Sequence, residues 1–139
     1  METTKNRSSL RGVFLVGTLY ILVGVVFALP TGHERAWRLA AWVVSGVAYA
    51  THVGYERLRL RNSSLSSARH VASAAAFGAF GLAVAANIHS LSVATTNQQQ
   101  KLLLIALVAW PAITSVPAFL VGLAASSLLL KLSRRGPVD

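Results

Sequence analysis

Residues 102–130, LLLIALVAWPAITSVPAFLVGLAASSLLL, contain no Lys, Arg, Asp or Glu. That run decides the fold class. A hydrocarbon core about 30 Å thick is crossed by roughly 20 helical residues rising about 1.5 Å each. Backbone in lipid must satisfy its own hydrogen bonds, which selects helices. Working outward, three further uncharged runs precede it: 71–96 (VASAAAFGAFGLAVAANIHSLSVATT), 39–55 (LAAWVVSGVAYATHVGY) and 12–30 (GVFLVGTLYILVGVVFALP). The shortest is extended by Ala36, Trp37 and Arg38, whose long side chain reaches the interface. None shows the polar–apolar alternation of a membrane barrel strand. The expectation is an all-α integral membrane four-helix bundle of two antiparallel hairpins. It occupies residues 1–139 as one domain, with spans at about 12–30, 36–55, 71–94 and 102–130.

The chain carries 13 Lys and Arg against 4 Asp and Glu, a formal net charge of +9. Positive residues in short loops resist translocation and remain cytoplasmic. Lys5, Arg7 and Arg11 precede the first run, Arg57, Arg59, Arg61 and Arg69 separate the second and third, and Lys131, Arg134 and Arg135 follow the fourth. Only Arg35, Arg38 and Lys101 fall on the opposite side. Both termini are therefore expected in the cytoplasm of a cell whose inner membrane the chain crosses several times. The cations bracket spans and form no separate domain with stacking aromatics, so the charge points to anionic lipid headgroups and excludes nucleic acid as partner. The basic leader and first run also have the outline of a signal peptide, but the apolar stretch exceeds the usual roughly 7–15 residues.

The tight turn at 31–35 and the polar stretch 92–101 should each close a hairpin, leaving 56–69 as the sizeable cytoplasmic segment, interfacial at first and a hinge over 62–67. In the third run Ala74, Gly78, Gly81 and Ala85 recur at helical spacing, a stripe on which another backbone can approach closely. Gly17, Gly24 and Ala28 of the first run, and Ala41, Ser45 and Ala48 of the second, are its natural mates. Asn87 reads as an interhelical hydrogen-bond donor. With Thr114 and Ser115 it is also a candidate lining for a polar pathway. Pro111 and Pro117 each remove a backbone donor and should kink the fourth helix.

Chemistry is sparse. Zero cysteines removes disulfides, thiolate metal sites and thiol catalysis. The acidic residues Glu2, Glu34, Glu56 and Asp139 all lie outside the apolar runs, which predicts no buried carboxylate to relay protons or hold a cation. The chain is similar in size and span count to the small multidrug-resistance transporters, yet that family depends on a glutamate in its first helix and residues 12–30 have none. Four histidines remain. His52 with His70 should lie at the inner surface, and His33 with His89 at the outer. Each pair could offer axial imidazoles to a haem or chlorin. Ala48 before His52 and Ala85 before His89 resemble the Ala-x-x-x-His pigment site of bacterial light-harvesting polypeptides, which would imply tetrapyrrole binding. Two imidazoles fall short of a zinc site, so no metal is expected.

These readings favour a non-enzymatic protein acting by helix packing, as an accessory or assembly subunit of a larger membrane complex or as a homo-oligomer. A small channel or solute transporter built by oligomerisation is the alternative, and a tetrapyrrole-binding membrane protein the second.

Overall fold

The structure, a computed structural model, describes residues 2–28, 33–92 and 96–134. Pro30, residues 93–94 at the expected end of the third span, Arg135 and Asp139 lie outside the described residues. The described chain is all-helical: α1 (Glu2–Val26), α2 (Glu34–Gly54), α3 (Ser64–Ser92) and α4 (Asn97–Arg134), with a π-helical turn (Tyr55–Arg59) continuing α2. Among the described residues, three helices are long and apolar enough to cross a membrane, within Arg7–Val26, Ser64–Leu91 and Asn97–Leu132. The second helix is not one of these; it carries Arg35 and Arg38 in its first turns.

Several boundaries are set by local hydrogen bonding that apolar length does not encode. The expected hinge at 62–67 is mostly helix, because Ser63 caps α3: its Oγ accepts from the Ser66 N–H at 3.2 Å and its carbonyl from the Ser67 N–H at 2.9 Å. The chain reverses just before it, at Arg61, whose φ of 50° lies in the left-handed region. α4 begins with a reciprocal capping box. The Thr96 N–H donates to Gln99 Oε1 at 3.0 Å, and the Gln99 N–H donates to Thr96 Oγ1 at 3.3 Å. α4 then runs unbroken through Pro111 and Pro117.

α3 is the central helix. It packs extensively on α4 and on α1, while α2 makes much slighter contact with the rest. At α1 the small residues let the backbones approach. A Cβ at Gly17 would overlap Phe77 and sit 3.1 Å from the Ala74 carbonyl, one at Gly78 would sit 2.6 Å from Tyr20 Cβ, and ones at Gly24 and Gly81 would overlap Leu82 and Ile21. These pairs ascend together, so α1 and α3 run in the same direction. α4 runs opposite to α3, since Asn87 meets Leu103 and Gly122 meets Ala68. The stripe of Ala74, Gly78 and Gly81 thus mates with α1; Ala41, Ser45 and Ala48 of α2 sit on a helix that contacts α3 little.

Burial is partly inverted relative to a water-soluble protein: small apolar residues such as Ala68, Val71 and Ala74 are buried, but so are polar ones. Fully buried side chains include Ser9, Glu56, Ser67 and Ser126, whereas Trp42, Leu91 and Val108 are each more than three-quarters exposed. α2 shows the inversion most clearly. Tyr49, His52 and Glu56 point inward, while Leu39, Trp42, Val43 and Val47 point out. In water that arrangement would forfeit most of the hydrophobic gain of folding; in hydrocarbon it places each face where its solvation favours it.

Candidate functional site

The chemistry collects where α2 runs into the π-helical turn. In an α-helix residues four apart share a face, so His52 and Glu56 project together from the inner side of α2, one and two turns beyond Tyr49 and its neighbour Ala48. The π turn adds a residue to the last turn: the Leu60 N–H reaches back to the Tyr55 carbonyl at 3.1 Å, and the Asn62 N–H to the Glu56 carbonyl at 3.1 Å. That geometry carries Asn62 back over Glu56. The carbonyl of Asn62 is held in turn by the Arg57 guanidinium, which donates to it.

Glu56 is completely buried. This corrects the expectation that no carboxylate is buried: the flank of the second apolar run folds inward instead of lying in a solvated loop. Oε2 receives three donors from three parts of the chain. Nδ1 of His70 on α3 lies 2.9 Å away, Nδ2 of Asn62 donates at short range, and Oγ of Ser9 on α1 donates at 3.4 Å. Asn62 Nδ2 also reaches Ser9 Oγ at 3.1 Å. On the other side His52 Nε2 stands 3.8 Å from Oε1, an ion-pair distance rather than a hydrogen bond. Gly12 of α1 closes the site, since a Cβ there would touch His52 Nε2 at 3.5 Å and Glu56 Oε1 at 4.0 Å. Nearby, Ser8 Oγ and Tyr55 Oη are 3.4 Å apart.

Burial by itself would push the Glu56 carboxyl upward. The facing His52 and His70 imidazoles and the Asn62 amide, together with the charge of His70, outweigh it and hold the carboxyl at about 2, below the ordinary 4.5. The site therefore holds an ionised carboxylate, and the arginines that flank it along the chain or stand on the adjoining helices, Arg11, Arg59, Arg61 and Arg69, are all exposed. Among the described residues, Glu56 Oε1 and both ring nitrogens of His52 have no hydrogen-bond partner, and no three His, Asp or Glu side chains are placed to hold a metal ion. The arrangement acts as a clamp. One anion joins α1, α2, the 60–63 connection and α3.

The other residues singled out from sequence are dispersed. His52 and His70 face opposite oxygens of Glu56, His70 Nδ1 at hydrogen-bond distance and His52 Nε2 at 3.8 Å. His33, at the start of α2 with φ of 50°, and His89 are exposed, and neither imidazole makes a hydrogen bond or ion pair with any described residue. Ala48 and Ala85 are half-buried. Asn87 Nδ2 donates to the Ala83 and Leu103 carbonyls, each at 2.8 Å, and so joins α3 to α4. Thr114 Oγ1 donates to the Trp110 carbonyl at 2.9 Å, and Ser115 Oγ to that of Ala112 at 3.2 Å. These two lie about 17 Å along α4 from the level of Asn87.

Sequence reasoning missed Glu56, Asn62 and Ser9. A signal for the first was present: Ser45, Tyr49, His52 and Glu56 form a polar line at spacings of four, three and four, which continues the inward face of the second run past its apolar end. Ser9 and Asn62 had no such pattern, since a helix contact and a π turn bring them in. Compared with known protein families, with curated proteins and with solved structures, the chain shows no match.

Proposed function

We propose that the chain is a four-span protein of a cell inner membrane, with both termini cytoplasmic, that acts by lateral helix packing as a subunit of a larger membrane assembly or of a homo-oligomer. The observation that carries this reading is the outer face of α2. Gly46, Ala50 and Gly54 stand in line at four-residue spacing on that helix, and a Cβ added at Gly46 or Gly54 would meet no neighbouring helix within 4 Å. Every glycine on the α1–α3 seam is, by contrast, covered by a neighbouring helix. Small residues in a membrane helix favour close helix approach, and in this chain α2 is the helix with the least contact to its own neighbours.

Other features support packing over conduction or cofactor chemistry. Asn87, Thr114 and Ser115 spend their donors on backbone carbonyls at two separate levels. His70 spends its Nδ1 on Glu56, and the His52 imidazole faces the other oxygen of that carboxylate, which links α1, α2 and α3. The inverted burial of α2 supports its crossing the membrane despite its basic first turns, because Arg35 and Arg38 sit at one end, where long side chains reach the interface.

The test is a native mass spectrum from mild detergent of the wild-type chain and of Gly46→Leu. Wild type should hold a fixed number of copies, or a foreign polypeptide in fixed ratio. Gly46→Leu should release monomer with unchanged helicity. A wild-type chain that is monomeric both in detergent and when cross-linked in the bilayer would sink the proposal.

A further inference from the structure

We propose that the groove between α3 and α4 beside the exposed arginines is a binding site for one anionic phospholipid, its headgroup phosphate held by Arg69 and one acyl chain lying along the groove. The inference rests on the membrane placement proposed above, but not on the assembly through α2. The groove is an open depression of about 480 Å³. Its α3 wall is Arg69, Ala72, Ser73 and Ala76, and its α4 wall includes Val116, Phe119 and Leu120. The wall residues of α3 recur every three or four positions, so they form one face of that helix. The small side chains of Ala72 and Ala76 leave the depression, while Val116 and Leu120, both more than half exposed, form its far lip.

Polarity is graded along the groove. Ala68 meets Gly122 and Asn87 meets Leu103, so Arg69 and Leu120 share one end and Ala76 lies toward the membrane interior. From Arg69 to Ala76 the helix rises roughly 10 Å, enough for the upper half of an acyl chain. Arg69 is exposed and its guanidinium makes no hydrogen bond or ion pair with any described residue, and Ser73 one turn on is exposed as well. A guanidinium presents several donors in a fixed fork that suits a phosphate, so a lipid seated there would satisfy the polar and the apolar part of the groove together. The neighbouring cations Arg11, Arg59 and Arg61 favour an anionic over a zwitterionic headgroup. The carboxylate closest in the fold, Glu56, is fully buried against its own imidazoles and does not compete for Arg69.

The experiment is native mass spectrometry of the whole chain with palmitoyl-oleoyl phosphatidylglycerol or the matching phosphatidylcholine added to the detergent. One phosphatidylglycerol should be retained in preference to phosphatidylcholine. Arg69→Gln should weaken that retention about fivefold, the worth of one cation at a membrane surface. Ala76→Leu, which fills the groove, should weaken retention of the lipid without touching the charge, and Arg59→Gln, which removes a cation outside the groove, should weaken it much less than Arg69→Gln does. Equal retention of the two lipids, or equal losses in Arg69→Gln and Arg59→Gln, would overturn the site in favour of a diffuse basic rim. The same measurement on the Gly46→Leu chain separates the two proposals, because the groove is intact there whatever the state of assembly.

Discussion

At the scale of single residues, Glu56 determines more than any other side chain, because three elements donate to one of its oxygens. Removing the charge while keeping the shape, as in Glu56→Gln, should cost about 1–3 kcal/mol, the range for disrupting a charge-assisted buried bond. Glu56→Ala should cost more, since Asn62, Ser9 and His70 would all lose their shared acceptor. Thermal melting in detergent measures both. The pH dependence has a definite sign. Folding favours the ionised carboxyl, so its contribution is complete above the ordinary value of 4.5 and disappears as pH falls through about 2. The wild-type melting temperature should therefore drop across that acid window, and the drop should be shallower in Glu56→Gln. A parallel slope in the two proteins would show that other groups carry the acid sensitivity. Glu56 escaped the sequence reading for a physical reason: hydropathy assigns a charge to solvent, whereas burial of a carboxylate depends on donors arriving from residues 9, 62 and 70, which are remote in the chain.

At the scale of elements, the helices and their apolar lengths were legible, because both follow from hydrocarbon thickness and backbone hydrogen bonding. The capping of α4 by Thr96 and Gln99 was equally open to reading as a T-x-x-Q pattern, and it explains why that helix starts five residues before the apolar run. Pairing between helices was not legible. The stripe of Ala74, Gly78 and Gly81 was visible, but small residues on α1 and α2 were equivalent as mates until the complementary bulk of Phe77, Tyr20, Ile21 and Leu82 was placed. The distinction can be measured with one type of substitution at two sites. Gly17→Leu or Gly81→Leu forces a side chain into a filled seam and should destabilise the monomer by about 1–3 kcal/mol or more. Gly46→Leu meets open space and should leave the monomer's melting temperature unchanged within about 0.5 kcal/mol. Equal effects at 17 and 46 would mean that α2 packs inward on its glycine face, contrary to the structure.

At the scale of the whole molecule, the decisive question is how many times the chain crosses the bilayer. Three helices qualify by length and hydropathy alone. The proposed fourth crossing rests on a different argument: α2 hides Tyr49, His52 and Glu56 and exposes Trp42, Val43 and Val47, a distribution that suits a helix surrounded by lipid. Were α2 to lie along the surface instead, α1 and α3 would traverse in opposite directions, yet the contacts of Gly17 with Phe77 and Gly24 with Leu82 make them parallel. Two neighbouring parallel spans require an intervening crossing. Because the chain has no cysteine, single substitutions report position without background. His33→Cys and Ser63→Cys mark exposed positions just before α2 and α3, and Gln98→Cys marks the exposed first turn of α4. In intact cells an impermeant thiol reagent should reach positions 33 and 98, while position 63, within the arginine-rich connection, should react only after permeabilisation. Labelling of 33 together with 63 on one side and of 98 on the other would mean that α2 does not cross. Labelling of 63 alone in intact cells would keep four spans and invert the molecule, so that the basic rim and the Glu56 clamp face outward.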